Sequence, residues 1–379
     1  MNQKELGLYI HIPFCRQKCH YCDFPSYSGM EEHWEAYTNA VVHELIMKAQ
    51  AFQQLKIKTI FIGGGTPSLI PHNHIERILD TVHSHYHVIK DCESTLESNP
   101  GTLTGEKLTA YRAAGINRLS MGLQACQERL LKKLGRIHSF NDFTQAVILA
   151  QKHGFENINA DIIFGIPDQS FEEWCETVAR VLAFDLTHIS CYSLKIEDET
   201  VFGRMLKEGH LHEIEDELDR RMYHYAINLF YQAGFEQYEI SIFAKPPYLC
   251  KHNMNYWERG EYIGIGAGAH SFYEERRYAN TSDVLMYIEG VKKESLTLSE
   301  NMGLSKEEGL SEKIILGLRL NKGIDLALLS KEFDIDLEKK YHKELEQLSS
   351  QALVERNGSV IRLTKTGLDL ANTVFIAFI

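Results

Sequence analysis

Apolar positions along the first two thirds of the chain follow two alternating rhythms. Short runs, Leu6–Ile12, Ile57–Ile62, Cys92–Glu97, Asn117–Leu123, Ile158–Phe164 and His188–Leu194, have the length and composition of strands. Between them lie longer amphipathic stretches with a helical period, among them Glu31–Phe52, His74–His85, Phe140–His153 and Phe171–Ala183. Two helix starts carry their own signal. Ser170 precedes Glu173 at the capping-box spacing, and Ser139 precedes Asp142 in a weaker variant. Strand-then-helix repetition predicts a parallel sheet with helices outside it. Six such units, where a closed barrel has eight, predict an α/β fold of the partial (β/α)6 TIM type, with its ligand at the carboxyl ends of the strands.

After a long charged helix at Ile214–Ala233 and the run Gln237–Phe243, the pattern breaks. The following stretch is rich in aromatic residues, Gly and His, and reads as an irregular binding or connecting segment. From Ser305 a different rhythm begins, with helical stretches at Glu307–Leu318, Leu326–Phe333 and Leu337–Ser349. The short runs Ala352–Glu355 and Val360–Leu363 then flank Asn357-Gly358, a strong hairpin-turn signal. Helices followed by one hairpin predict a small winged-helix-like domain. The expected organisation is therefore a barrel over residues 1–243, a connecting segment over 244–300 and a carboxyl-terminal domain over 301–379. The apolar tail Val374–Ile379 is too short to cross a bilayer and predicts a docked final helix.

Composition narrows the function. With 379 residues, 44% of them hydrophobic, the chain has enough material for one large domain and a smaller one. Its net charge of −12 works against gripping phosphate backbones, so nucleic acid is not an expected partner. Lys339, Lys340 and Lys343 add little basic surface to the winged-helix-like tail. With no charged leader and no long apolar run in the sequence, the expected location is the cytoplasm, with a peripheral position at the membrane left open. Five of the eight cysteines, Cys92, Cys126, Cys175, Cys191 and Cys250, are scattered singly, which is not a disulfide framework.

The other three cysteines, Cys15, Cys19 and Cys22, crowd into a loop directly after the first strand. Three thiolates on a tight loop can hold three corners of a [4Fe–4S] cluster and leave the fourth iron open to a ligand from outside the chain. A zinc site completed by His11 or His20 is the alternative that spacing alone leaves standing. At the end of the second strand, Gly63-Gly64-Gly65-Thr66-Pro67 lets the backbone approach a ligand closely and expose its N–H groups. Polar residues recur at the other strand ends: Glu97 in the third unit, Gln124 in the fourth, Asp161 in the fifth, with Arg136 in a loop able to meet a carboxylate. A barrel gathers such residues around one mouth. The later pattern Gly264-x-Gly266-x-Gly268 mimics a phosphate loop, but lacks the surrounding βαβ unit and reads as close packing.

In order and spacing these residues resemble the S-adenosylmethionine site of radical-SAM proteins, in particular oxygen-independent coproporphyrinogen III dehydrogenase and its relatives. The resemblance implies that Tyr9 and Tyr21 also touch S-adenosylmethionine, that Gly64, Gly65 and Thr66 hold its methionine part, and that Glu97 receives its amino group. Two departures set this chain apart from the dehydrogenase: Phe24 stands where that enzyme has a further cysteine, and Tyr9 lies almost at the start of the chain.

The segment His252-Asn253-Met254-Asn255-Tyr256-Trp257 is similar to the His-Asn-x-x-Tyr-Trp motif of HemW-type heme chaperones. That resemblance implies heme as cargo, His252 as its axial ligand with Tyr256, Trp257 and Phe272 covering the macrocycle, and apo-hemoproteins as recipients, membrane respiratory enzymes among them. A homodimer is compatible with it. The competing readings are a true coproporphyrinogen III dehydrogenase and, from a different class, a radical-SAM enzyme that modifies RNA.

Overall fold

Buried on both faces, the early strands carry nearly continuous apolar runs, as parallel strands covered by helices do. In the computed structural model, which describes residues 4–52 and 54–379, Leu6, Leu8, Ile10 and Ile12 of the first strand are all fully buried. Six parallel strands lie side by side in chain order: β1 (Glu5–Ile12), β2 (Lys56–Gly64), β3 (His87–Ser98), β4 (Arg118–Gln124), β5 (Asn157–Phe164) and β6 (His188–Ser193). This is the partial barrel that the six units predict. The expected caps form at Ser139 and Ser170, each accepting the N–H three residues on while Asp142 or Glu173 reaches back. Each cap is worth about 1 kcal/mol to its helix.

The run Gln237–Phe243 is a hairpin rather than one strand: β7 (Glu236–Glu239) turns back into β8 (Ile242–Ala244), which pairs with β6. The stretch expected to be irregular is ordered. It carries the helix Lys251–Trp257, then β9 (Tyr262–Ile265) parallel to β1, then antiparallel β10 (His270–Tyr273), β11 (Arg276–Asn280) and β12 (Leu298–Gly303), giving one open twelve-stranded sheet. Strands of four to six residues are too short to show a clear period in sequence, which is why they read as loop. Gly264 and Gly266 are indeed packing glycines: a Cβ would stand 2.1 Å from the His270 carbonyl oxygen at the first and 2.6 Å from the Tyr37 hydroxyl at the second.

One hydrophobic core runs from Leu6 to Val291 and a second from Leu310 to Phe378. The second belongs to a small module of helices around β13 (Ile324–Asp325), β14 (Val354–Asn357) and β15 (Val360–Leu363), with the Asn357-Gly358 turn joining the last two. The expected helix Leu337–Ser349 is interrupted at Tyr341, and the final helix Ala371–Ile376 docks through buried Val374 and Phe375. Arg259 and Arg277 both bond Glu312, and Arg319 bonds Glu239, tying this module to the sheet. Among the described residues no helix is long and apolar enough to cross a membrane.

Candidate functional site

The loop carrying the three cysteines leaves β1 at Ile12 and is closed at its base by backbone hydrogen bonds, Cys15 N–H to Tyr27 O at 2.9 Å and Tyr27 N–H to Pro13 O at 2.7 Å. Its outer limb is fastened to the turn after the helix Glu128–Lys133: His20 N–H donates to Leu134 O at 3.0 Å, and Gln17 Nε2 donates to Gly135 O at 3.1 Å. Cys15, Cys19 and Cys22 thereby face one cavity of about 470 Å³ at the carboxyl ends of the strands. The same cavity is lined by Tyr21, Gly64, Gly65, Thr66, Glu97, Gln124, Arg136 and Asp161. Tyr9 is the exception among the residues expected there. It opens onto a deeper cavity of about 320 Å³, which shares Phe24, Gly64, Glu97, Ser120, Asp161 and Tyr192 with the first.

Arg136 is the main cation at the thiols. Its Nη1 donates to Cys19 Sγ at 3.5 Å, while Nη2 donates to Asn99 Oδ1 at 2.7 Å and to Gly122 O at 2.6 Å. It pairs with sulfur and amide here, and with no carboxylate among the described residues. Asn99 was missed in the sequence, although an Asn-Pro pair directly after a strand is a turn signal; its Nδ2 also donates to Thr66 Oγ1 at 2.9 Å, and Thr66 Oγ1 lies 3.6 Å from Cys15 Sγ. Burial pushes the Cys15 and Cys22 thiols up from their usual range, so metal must displace their protons to bind. Gln124 sits at φ +71°, a costly left-handed conformation for a non-glycine residue at the end of β4.

The glycine turn does not offer its N–H groups as expected. Gly64 N–H donates to Glu97 Oε2 at 3.0 Å, Gly65 N–H to Ile12 O at 2.9 Å and Thr66 N–H to Phe14 O at 2.8 Å. The glycines are required for space: Gly64 has φ +107°, and a Cβ there would stand 2.3 Å from the His11 ring. The turn packs closely against His11 and Phe14, with its N–H groups already engaged. Glu97 is pushed up to about 7, first by burial and then by the nearby Asp161 charge. Asp161 is also raised by burial, although it accepts from Asn159 Nδ2 at 2.8 Å and Ser120 Oγ at 3.3 Å. These two carboxyls, both reluctant to ionise, stand at the boundary shared by the two cavities.

The structure does not place His252 as an open ligand. Its ring is buried, stacks on Phe61 at 5.1 Å, and shares hydrogen bonds through both nitrogens, Nδ1 with Thr59 Oγ1 and Nε2 with the Tyr256 hydroxyl, each at 2.8 Å. Burial drives it down to about 3, so it is neutral. Heme iron therefore has no free nitrogen to meet there. Phe272 is buried between Arg259 and Arg277 and offers no face to a macrocycle, while half-buried Trp257 has one face covered by the Arg319 guanidinium at 4.4 Å. Asn253 and Tyr256, by contrast, line the deeper cavity.

Of the two candidate fourth ligands for zinc, His11 has both ring nitrogens engaged and His20 has one. His11 shares hydrogen bonds at 2.9 Å through Nδ1 with the Tyr9 hydroxyl and through Nε2 with Pro25 O, and His20 Nδ1 bonds Lys133 O at 2.8 Å. Among the described residues no three His, Cys, Asp or Glu side chains converge at single-ion spacing. Three thiols spread around a common space, with a guanidinium at one of them, fit a larger cuboidal cluster instead.

A parallel partial barrel with this thiol loop at its mouth defines a radical-SAM protein. The Radical SAM superfamily model matches residues 9–181, and the HemN C-terminal domain model matches residues 304–370. Heme chaperone HemW of Bacillus subtilis (strain 168) is 35% identical over 372 residues, covering 98% of each chain. The protein of the same name from Escherichia coli (strain K12) is 41% identical over 270 residues, 70% of this chain and 69% of that one. The chain belongs to the HemW family. The solved structure of coproporphyrinogen III oxidase (HemN) from Escherichia coli, described as a radical SAM enzyme, superimposes with a TM-score of 0.88 over 99% of this chain and 90% of that one, at 22% identity, and shares the fold.

Proposed function

We propose that this chain binds heme as cargo and passes it to apo-hemoproteins, carrying a [4Fe–4S] cluster on Cys15, Cys19 and Cys22 with S-adenosylmethionine beside it. The end-to-end match to the Bacillus subtilis heme chaperone HemW carries this reading. Held by Cys15, Cys19 and Cys22, such a cluster in its reduced state would supply one electron for reductive cleavage of a bound sulfonium. The chain's own residues do the rest. Arg136 stabilises the Cys19 thiolate by a charge-assisted hydrogen bond. Glu97, already fixed by the Gly64 N–H, accepts the amino group of the methionine part. Tyr21 and exposed Phe24 line the cavity.

The test is anaerobic reconstitution followed by three parallel measurements: heme titration by its Soret band, transfer of that heme to an apo-hemoprotein, and S-adenosylmethionine cleavage. Stoichiometric heme uptake with transfer is the expected result. The complete set of polar residues at the cofactor cavity favours a second reading, radical decarboxylation of coproporphyrinogen III. Anaerobic turnover of that porphyrinogen without heme transfer would replace the chaperone reading.

A further inference from the structure

Arg118 is the first residue of β4 and lies inside the barrel, 1% exposed. Its one hydrogen bond among the described residues is long, 3.5 Å from Nη1 to Thr95 Oγ1, and Nε has no partner. A buried guanidinium without a paired anion is costly. Glu93 and Asp161 act on its charge through space and favour it, yet no acid meets it in a hydrogen bond among the described residues. Glu93 accepts the backbone N–H groups of Lys251 and His252, Asp161 is bonded by Ser120 and Asn159, and Glu97 holds Gly64. Arg118 lines the deeper cavity, whose other walls include the aromatic rings of Tyr9, Phe61 and Tyr256. That cavity shares Glu97 and Asp161 with the first, and Cys15, Cys19, Cys22 and Arg136 take no part in its lining.

We propose that Arg118 anchors a second ligand site, which takes the carboxylate of a molecule whose apolar body lies among Tyr9, Phe61 and Tyr256. A guanidinium fork matches a carboxylate in geometry and charge, and aromatic walls match an apolar body. With about 320 Å³, the cavity admits a carboxylate arm and the ring edge that bears it, not a whole tetrapyrrole. Two sources share this chemistry, a propionate of heme and a small free organic acid. The heme branch rests on the function proposed above; the carboxylate site itself does not.

The test uses the full chain with its cluster reconstituted and S-adenosylmethionine present. Its probes are ferric heme, heme dimethyl ester with both propionates masked, 3-phenylpropionate and the matching amide. The parent should bind an acid about tenfold or more tighter than its masked partner, as expected for losing one charge-assisted hydrogen bond. Arg118→Gln should bring that ratio close to one while cluster absorbance stays unchanged, and Arg118→Lys should reduce it several-fold. A preference for heme over its ester identifies the propionate as the source; a preference confined to 3-phenylpropionate identifies a free acid. If neither heme nor its ester binds, the chaperone reading fails and the phenylpropionate pair alone decides the site. If Arg118→Gln loses its cluster, the drop in Arg118→Lys is the readout. Ratios near one in the parent, or a preference that survives the Arg118 substitutions unchanged, would overturn the site.

Discussion

One carboxylate oxygen of Glu93 accepts the backbone N–H of His252 at 3.1 Å, and the other accepts that of Lys251 at the same distance. A side chain on β3 thus caps the helix Lys251–Trp257 from 159 residues away. That single carboxylate sets which faces of the motif reach which surroundings: Asn253 and Tyr256 meet the deep cavity, and Trp257 meets the carboxyl-terminal module.

Removing the cap should loosen the motif. Glu93→Ala leaves the buried N–H of His252 and the partly buried N–H of Lys251 without an acceptor and should destabilise the fold by about 2 kcal/mol, with Glu93→Gln costing about half as much because one acceptor remains. Urea unfolding measures both. Losses within about 0.5 kcal/mol of zero for the two variants would show that the carboxylate holds nothing.

His252→Ala removes a buried ring and leaves the hydroxyls of Thr59 and Tyr256 unpaired, so a loss of about 2–4 kcal/mol is expected before any ligand is added. Tyr256→Phe alone should cost about 1 kcal/mol and almost nothing in the His252→Ala background, because the same bond is already gone. Additive losses would mean that the two side chains act independently. Heme binding by His252→Ala has to be compared at matched folded fraction.

Gly64→Ala sets a methyl group against the His11 ring at φ +107°, and it should destabilise the chain by about 2 kcal/mol or more and lower iron loading per chain. Gly29 is the control. Its φ is +72° with no heavy atom near a Cβ, so Gly29→Ala meets only the backbone penalty of about 1 kcal/mol. Equal iron loading in the two variants would count against a close-packed turn under the cluster loop.

Glu97 titrates near 7 in the folded chain against an ordinary value of 4.5. Below about pH 7 it is neutral and a poor partner for an amino cation, so S-adenosylmethionine affinity should rise with pH by up to about tenfold per unit and level off above 7. The ligand-free chain should behave oppositely. Because the folded state holds a proton that the unfolded state releases, its stability should fall between about pH 4.5 and 7, by at most about 1.4 kcal/mol per unit. Calorimetric titration checks the first slope and unfolding at several pH values the second. Glu97→Gln should bind more weakly and flatten both; a pH profile that survives the substitution would assign the titration to another group.

The six strands of the barrel, the capping boxes at Ser139 and Ser170, the Asn357-Gly358 hairpin and the cysteine loop were all legible in the sequence, because each depends on neighbours within one turn or one strand. Glu97, Gln124 and Asp161 were legible as strand-end residues, since a parallel barrel gathers strand ends at one mouth. What local pattern does not carry is the direction and company of a side chain. Only the folded sheet turns Tyr9 into the deeper cavity, closes both nitrogens of His252, uses the turn's N–H groups for packing, and adds strands β9–β12 beside β1. Arg118 was invisible for the same reason: one cation in a strand reads as ordinary until three-dimensional packing buries it and commits the surrounding acids to other partners. The thiols that can hold a cluster are therefore a property of the sequence, and the residues left able to meet a second ligand are a property of the fold.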